Sequence, residues 1–410
     1  MSGVTKHIYN RKIHDVEVEW NKEINSIVPL LPRIYEETTI VNLIKEYYYY
    51  EWISVCHMYS YYQEKDKFLL KFKGRSRYNM PKPLVMLKSL ASFKNLFKKS
   101  FQLNHFYRYS QFKCELAADK LHQIRDPKIL RTKKKIEIAK LKTQLVTPAF
   151  LDQLIGLYSR KNTTQKEKVY ILLELKKYYC DKVIKFFFKL NDTEINYQLR
   201  HEAFLYLQSF NYNPRLRRQS YMIVHAKNKE RREFLKNIYS REEFIIPLNP
   251  NELEYRIRFS LDQKLKIFDY FICHSSKDSK YVQELITQLN KKRKNVFCDW
   301  ISDVDYLKRH LLCEATLRVI EFRLEHSSAL IFVSSENSYN SVWCKYELNY
   351  FLDLNKPIYK IDVEAIKINM FKLWLEQDFW FKDPLYKQRA LIASETVLDR
   401  ADPECQLKVN

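Results

Sequence analysis

The sequence predicts two unlike parts: a mainly α N-terminal region, built as a helical bundle or short helical array, and a C-terminal α/β unit with a parallel sheet. Three observations carry this. Near the C-terminus, short apolar runs rich in Phe, Ile and Val each end in polar residues and alternate with helical stretches, the β-α-β-α pattern of buried parallel strands. Upstream, apolar residues recur at helical spacing. The charge also divides: residues 1–260 hold 49 Lys+Arg against 27 Asp+Glu, and residues 261–410 hold 22 of each. The expected partition is 1–260, 261–363 and a helical tail over 364–410.

In the N-terminal region, Thr164-Gln-Lys-Glu167 has capping-box form ahead of a run from Lys168 to Leu190. Val169, Leu172, Leu173, Tyr179, Val183, Phe186, Phe187 and Leu190 make its apolar face. Asn191-Asp192 is expected to break the run. A second helix is expected over 195–210, a turn at Asn211-Tyr-Asn-Pro214 and a third helix over 215–238. Between Lys67 and Lys113 there are 12 Lys/Arg and no acid, with Tyr78, Phe93, Phe97, Phe101, His105, Phe106, Tyr107 and Tyr109 interleaved. Lys71, Lys73, Arg75 and Arg77, with Lys133, Lys134 and Lys135 further on, form a candidate nucleic-acid surface. Cations can neutralise phosphates and aromatics can stack on bases. The same pattern also describes a solvated basic face over an aromatic core.

In the C-terminal unit, a first strand over 265–273 ends in His274-Ser-Ser-Lys-Asp278, and a helix over 280–290 carries Val282, Leu285, Ile286 and Leu289 on one face. A second strand, 295–299, leads into the loop Trp300–His310. A helix over 311–326, a third strand Ala329–Val333, the loop Ser334–Val342, a helix bearing Glu347 and a fourth strand at Pro357–Ile361 follow. Ligands of open α/β sheets bind beyond the C-terminal strand ends. His274–Asp278, Trp300–Asp305 and Ser334–Glu347 all fall there.

Composition limits the chemistry. Of 410 residues only Gly3, Gly74 and Gly156 are glycine, which excludes both the P-loop and the GxGxxG dinucleotide loop. Eight cysteines form no CxxC pair, so spacing indicates no zinc site. Met-Ser-Gly-Val-Thr-Lys-His is not a signal peptide, and no apolar stretch reaches membrane-spanning length. A reducing, cytoplasmic setting without membrane attachment is the expectation. Cys273 and His274, adjacent at a strand end, are expected to point to opposite faces and so not to form a nucleophile pair. Cys344 is expected to be a packed thiol.

Four motifs in order carry a resemblance: Phe268-Asp-Tyr-Phe-Ile-Cys-His-Ser-Ser-Lys-Asp278, Val296-Phe-Cys-Asp-Trp300, Val333-Ser-Ser-Glu-Asn337 and Ser341-Val-Trp-Cys-Lys-Tyr-Glu-Leu348. The segment 264–363 resembles a bacterial TIR (Toll/interleukin-1 receptor) domain. The resemblance implies a flavodoxin-like fold and NAD⁺ as substrate, with no cofactor and no metal. It implies Glu347 as the catalytic residue, releasing nicotinamide and either ADP-ribose or a cyclic ADP-ribose isomer. It implies a TIR–TIR homo-oligomer, and a role in antiphage defence with the basic N-terminal region meeting a nucleic-acid or phage-derived trigger. The loop after the second strand holds no glycine here, unlike many TIR domains. The candidate substrate-binding residues are His274, Ser275, Ser276, Trp300, Asp305 and Trp343. A carboxylate beside a ribosyl oxocarbenium ion stabilises its charge, and an aromatic four residues earlier on the same helical face walls the site. The alternative is a non-catalytic interaction module in which Glu347 only favours a helix N-terminus. Phe371-Lys-Leu-Trp-Leu375 and Phe379-Trp380 suggest a tail helix packing on this unit.

Overall fold

The computed structural model describes residues 4–194, 196–215, 228–230, 233 and 243–368. The expected helix over 215–238 falls mostly outside the described residues, as does the aromatic tail beyond residue 368. The chain forms two compact units, residues 1–139 with 185–242 and residues 140–184 with 243–410. The packing boundary thus differs from the charge boundary near residue 260. Residues 140–184 are part of the basic N-terminal stretch by sequence, yet they pack with the C-terminal unit.

The first unit is helical, as its periodicity predicts. Its core gathers Trp20, Ile24 and Ile27 from Val4–Ile27, Ile40 and Ile44 from Glu37–Tyr47, and Trp52 and Val55 from Tyr49–Lys73. Trp20 and Trp52 stack with ring centroids 5.7 Å apart. The helix Tyr49–Lys73 stops at Gly74, whose φ of 65° is the left-handed cap that glycine adopts without a Cβ clash. The expected break at Asn191-Asp192 holds to within one residue, since the helix runs Asp181–Thr193 and the next begins at Tyr197. The Asp192 carboxylate is buried against Lys12 (2.9 Å) and Lys65 (3.0 Å). Burial alone would raise its pKa, but the two ammonium groups outweigh burial and hold it at about 2.

The second unit is built on a four-stranded parallel sheet of order β2-β1-β3-β4, with β1 Phe268–Cys273, β2 Val296–Phe297, β3 Ser327–Ser334 and β4 Ile358–Asp362. This is the beginning of the flavodoxin-like order. Alternate residues feed opposite layers. Ile272, Ile331 and Val333 pack with the helix Ser279–Lys291 on one face. Phe271, Cys273, Leu330 and Phe332 pack with Glu314–Glu325 and Val342–Asp353 on the other. Both faces are covered, which explains why the strands read as continuous apolar runs.

Two sequence expectations need correction. The run Lys168–Leu190 is two helices, Gln165–Leu175 and Asp181–Thr193. Between them Tyr178 forms a parallel bridge with Gln144, through Gln144 N–H to Lys177 O and Tyr179 N–H to Gln144 O, both 2.9 Å. Pairing those backbone groups across the chain is incompatible with a continuous helical ladder. The second strand is only two residues long, because a short helix, Asp299–Ser302, begins directly after Cys298.

Gln144 also finishes the sheet edge. Its side-chain amide donates to Val296 O (2.6 Å) and accepts from Val296 N–H (3.0 Å), so one side chain does what a neighbouring strand residue would do. Leu145 N–H donates to Asn290 Oδ1 at 2.7 Å. The β2 edge is covered rather than left open for pairing.

Candidate active site

Glu347 lies in the second turn of the helix Val342–Asp353. Ser341 caps that helix, accepting from Cys344 N–H at 3.3 Å, which fixes where its first turn starts. Cys344 and Leu348 point into the core, and this holds Glu347 at the edge of the same face, half-buried. Across from it is Cys273, the last residue of β1 and fully buried. The thiol of Cys273 reaches the Cys344 carbonyl at 3.6 Å. The Cys273 and Cys344 sulfurs and a Glu347 carboxylate oxygen all lie within 4.8 Å of one another.

Little there favours a negative charge. Burial, then Cys344 and Asp299, push the Glu347 carboxyl well above the usual carboxylate range, and a hydrogen bond from Cys273 offsets only part of this. Burial likewise pushes the Cys273 thiol up, with Cys344 and Glu347 adding to it. The Cys298 thiol is also raised by burial, then by Asp299 and Glu347.

His274 and Trp300 are brought together beside this centre. Trp300 Nε1 donates to His274 Nε2 at 3.0 Å, and His274 Nδ1 sits 3.0 Å from Ile272 O. An indole N–H can only donate, so Nε2 accepts and Nδ1 carries the proton. Both ring nitrogens of His274 are thus engaged, and the ring orients Trp300. It also sits within 4.8 Å of Cys298 and Asp299 ligand atoms. Cys273 and His274 do face apart, as strand alternation predicts.

The other predicted residues sort less evenly. Ser275 is buried at the loop start and accepts from Lys277 N–H; Ser276 is exposed. Trp343 is half-buried and packs against two core clusters, one under the sheet and the other formed by Leu317 and Tyr346, so part of its surface goes to packing. Asp305 is exposed, and its charge acts on Lys176. The basic residues belong to the other unit. Lys71, Lys73, Arg75, Arg77, Lys133, Lys134 and Lys135 are all exposed. The turn carrying Arg75 and Arg77 is held by Asp66, which accepts from Arg77, Tyr78 and Asn79 N–H at 2.8, 2.9 and 2.6 Å. Of the interleaved aromatics, Tyr78 and Phe93 are core residues, whereas Tyr107 is 80% exposed.

Two supporting networks were not singled out from sequence. Asp278, which ends the β1 exit motif, is buried and accepts from Ser335 Oγ (2.5 Å) and Asn337 Nδ2 (2.9 Å), tying the β1 exit to the β3 exit. All three residues lie in the quoted motifs, so their presence was legible and their pairing was not. The second network fixes the β2 exit. Asp303 is buried and accepts from Arg323 Nε at 2.7 Å, with Lys177 at 3.3 Å and Lys266 at 3.7 Å. Glu174 accepts from Lys266 and Gln263 at 2.8 Å and from Lys177 at 2.9 Å. Arg256 pairs with Asp262 and stacks on Tyr170 at 3.8 Å. Four cations thus meet three carboxylates. Burial would raise Asp303 and Glu174, but the surrounding cations outweigh it and hold both well below the carboxylate range. Lys266, carrying the surplus positive charge in a buried place, is pushed down to about 8, chiefly by desolvation and then by Arg323. No sequence spacing announces a cluster assembled from residues 174, 177, 256, 262, 266, 303 and 323.

The sequence model of the TIR domain family matches residues 271–380. A protein of Cytobacillus dafuensis named "Putative cyclic ADP-D-ribose synthase TIR2" is 32% identical over 363 residues, covering 88% of this chain and 93% of that protein. A Bacillus cereus (strain MSX-D12) protein named "Probable 3' cyclic ADP-D-ribose synthase ThsB'" is 34% identical over 95 residues, 23% of this chain and 49% of that protein. No solved structure matches the chain.

Proposed function

Because the chain belongs to the TIR-domain family, in common with a full-length relative named as a cyclic ADP-D-ribose synthase, we propose that its C-terminal unit cleaves NAD⁺ and that Glu347 is the catalytic carboxylate. The observation that carries this reading is the setting of Glu347. It is a half-buried carboxyl at the C-terminal edge of a parallel sheet, with its proton held by burial, beside the His274–Trp300 pair.

The nicotinamide ring leaves NAD⁺ as a neutral group, so the C1′–N bond can break with the bonding pair going to nitrogen and little acid assistance. The positive charge then moves onto the ribose as an oxocarbenium ion. A cationic substrate beside Glu347 favours its ionised form, and the proton passes to solvent. The carboxylate then stabilises the charge that develops on ribose. Trp300, held by His274, offers an aromatic wall. Capture of the ribosyl cation by a hydroxyl of the same molecule gives a cyclic ADP-ribose isomer, the product class named for both relatives; capture by water gives ADP-ribose. Asp278 and Asp303 hold the β1, β3 and β2 exits that frame the site.

We further propose that TIR–TIR association completes the site, and that the basic helical unit receives the infection cue, nucleic acid or phage-derived, in a defence role. Among the described residues no helix is long and apolar enough to cross a membrane. The test is nicotinamide release from NAD⁺ by oligomerised protein, with products separated chromatographically, for wild type and Glu347→Gln. Release that persists in the variant removes Glu347 from the mechanism. Absence of release from wild type in a demonstrated oligomer leaves the unit as an interaction module.

A further inference from the structure

The structure assigns a second capacity to the same centre: we propose that Cys273, Cys344 and Glu347 form a binding site for a thiophilic divalent cation of the zinc type, and that occupation of this site shuts off the Glu347 carboxylate. No pair of cysteines in the sequence has zinc-ligand spacing. The site exists only because β1 ends beside the first turn of the helix Val342–Asp353.

Two sulfurs and one carboxylate oxygen within 4.8 Å of one another are a compact donor set. Around a tetrahedral zinc with Zn–S near 2.3 Å and Zn–O near 2.1 Å, ligand atoms stand less than about 4 Å apart, so only a small contraction is needed. Thiolate and carboxylate together select a borderline-soft cation over calcium or magnesium, which prefer all-oxygen shells. Both sulfurs are fully buried and Glu347 is half-buried, so the cation enters from the Glu347 side and its fourth position faces solvent.

Binding is a proton-for-metal exchange. Two thiol protons and the proton held on Glu347 go to solvent, and three ligand bonds form without any change of oxidation state. Three anionic ligands buried without a counter-charge are unfavourable. A cation removes that penalty by neutralising the charges that burial disfavours. The neighbouring group of His274, Cys298 and Asp299 is a poorer candidate, because both ring nitrogens of His274 are already engaged and Asp299 is exposed.

The test uses the full chain, thiol-reduced and chelator-treated, titrated with Co²⁺. One equivalent should bring up thiolate-to-cobalt charge-transfer absorption and the visible bands of tetrahedral cobalt, and Zn²⁺ should bleach both. Cys273→Ser and Cys344→Ser should each weaken binding by about 10–100-fold or more. Near-ultraviolet circular dichroism checks that each variant is folded, and Cys273→Ala and Cys344→Ala stand in where a serine variant is not. Wild type without cobalt bands, or bands unchanged in the folded cysteine variants, overturns the site. The inhibitory consequence rests on the proposed NAD⁺ cleavage. One equivalent of Zn²⁺ should suppress nicotinamide release by wild type, and should suppress it far less in each cysteine variant relative to that variant's own metal-free rate. Release unaffected by bound zinc overturns the inhibitory claim. Cobalt bands in a protein that never releases nicotinamide leave the metal site standing and remove the catalytic reading instead.

Discussion

Asp303→Asn should be among the most damaging single substitutions in the C-terminal unit, although it changes one atom in a loop. The Asp303 side chain is fully buried, and it faces Arg323, also fully buried, with Lys177 and Lys266 close by. Replacing the carboxylate leaves Glu174 to answer those cations, in a cluster where positive charge is already in surplus. Breaking a buried pair by removing one partner costs about 3–5 kcal/mol, because the other charge remains buried without compensation. For a unit of this size that corresponds to a fall in melting temperature of about 6–20 °C. The control is Lys294→Met, which breaks a pair with Asp269 whose side chains are 44% and 39% exposed; it should cost less than about 1 kcal/mol. Thermal and urea unfolding of the full chain, followed by near-ultraviolet circular dichroism, reads both. The pH dependence has a fixed sign. Asp303 and Glu174 are held below the ordinary carboxylate range in the folded state, so they contribute stability that is fully present above about pH 4 and is lost as pH falls further. Asp303→Asn should therefore flatten the acid limb. A loss no larger than that of Lys294→Met, or an unchanged acid limb, would refute the assignment of Asp303 as the anchor of the β2 exit.

Lys266→Met should cost less than half of what Asp303→Asn costs, since three cations then face three carboxylates. Wild-type stability should also rise between about pH 8 and 10, where the unfolded lysine still holds a proton that the folded one has released; denaturant titrations of the Lys266 variant should lack that rise. Glu347→Gln should lower nicotinamide release by about 10²–10³-fold. At pH above the ordinary carboxylate range the same substitution should raise the melting temperature, because there the unfolded wild-type carboxyl gains stability by releasing a proton that the folded one keeps; a variant that melts below wild type at pH 8 contradicts the buried-acid description. In wild type, kcat/KM for NAD⁺ should climb with pH as free Glu347 ionises, and a flat profile would assign the limiting ionisation elsewhere. Gln144→Ala should expose the β2 edge, leaving the Val296 N–H and C=O without their partner, and should speed amide exchange at Val296 ahead of β1.

What the sequence made legible follows from locality. Strands, helices and their order could be read because each is encoded in a window of a dozen residues: the alternation of Ile272 with Phe271 and Cys273, or the capping box at Thr164 and Glu167. Glu347, His274 and Trp300 stood out because they lie at strand exits, where a parallel sheet presents its ligand groups. The misreadings arose where a distant contact overrides a local pattern. Tyr179 keeps helical spacing, yet its N–H leaves the helical ladder to pair with Gln144 O. Asp192 was legible as a helix end, but not as a buried anchor, because the two lysines it pairs with lie more than a hundred residues away in sequence. Trp343 sits one turn before Glu347, as the motif requires, yet core packing takes much of its ring.

The charge boundary near residue 260 and the packing boundary differ for a reason that bears on function. Residues 140–184 come from the basic half of the chain, but they bring Glu174 and Lys177 together into the buried charge cluster of the C-terminal unit. That pair reaches Asp303, three residues after Trp300, and Gln144 of the same segment reaches Val296, four residues before it. The β2 exit loop is therefore pinned from both sides by a segment that lies outside the 271–380 match to the TIR family. A TIR unit cut at residue 260 would keep Glu347 and lose Glu174, Lys177 and Gln144. It would also lose Arg256, leaving Lys266 and Arg323 with Asp303 and depriving Asp262 of its buried partner. Such a truncation should fold less stably than a chain beginning before residue 140. If the two proved equally stable, the 140–184 segment would have to be regarded as a passenger on the sheet edge rather than a part of it.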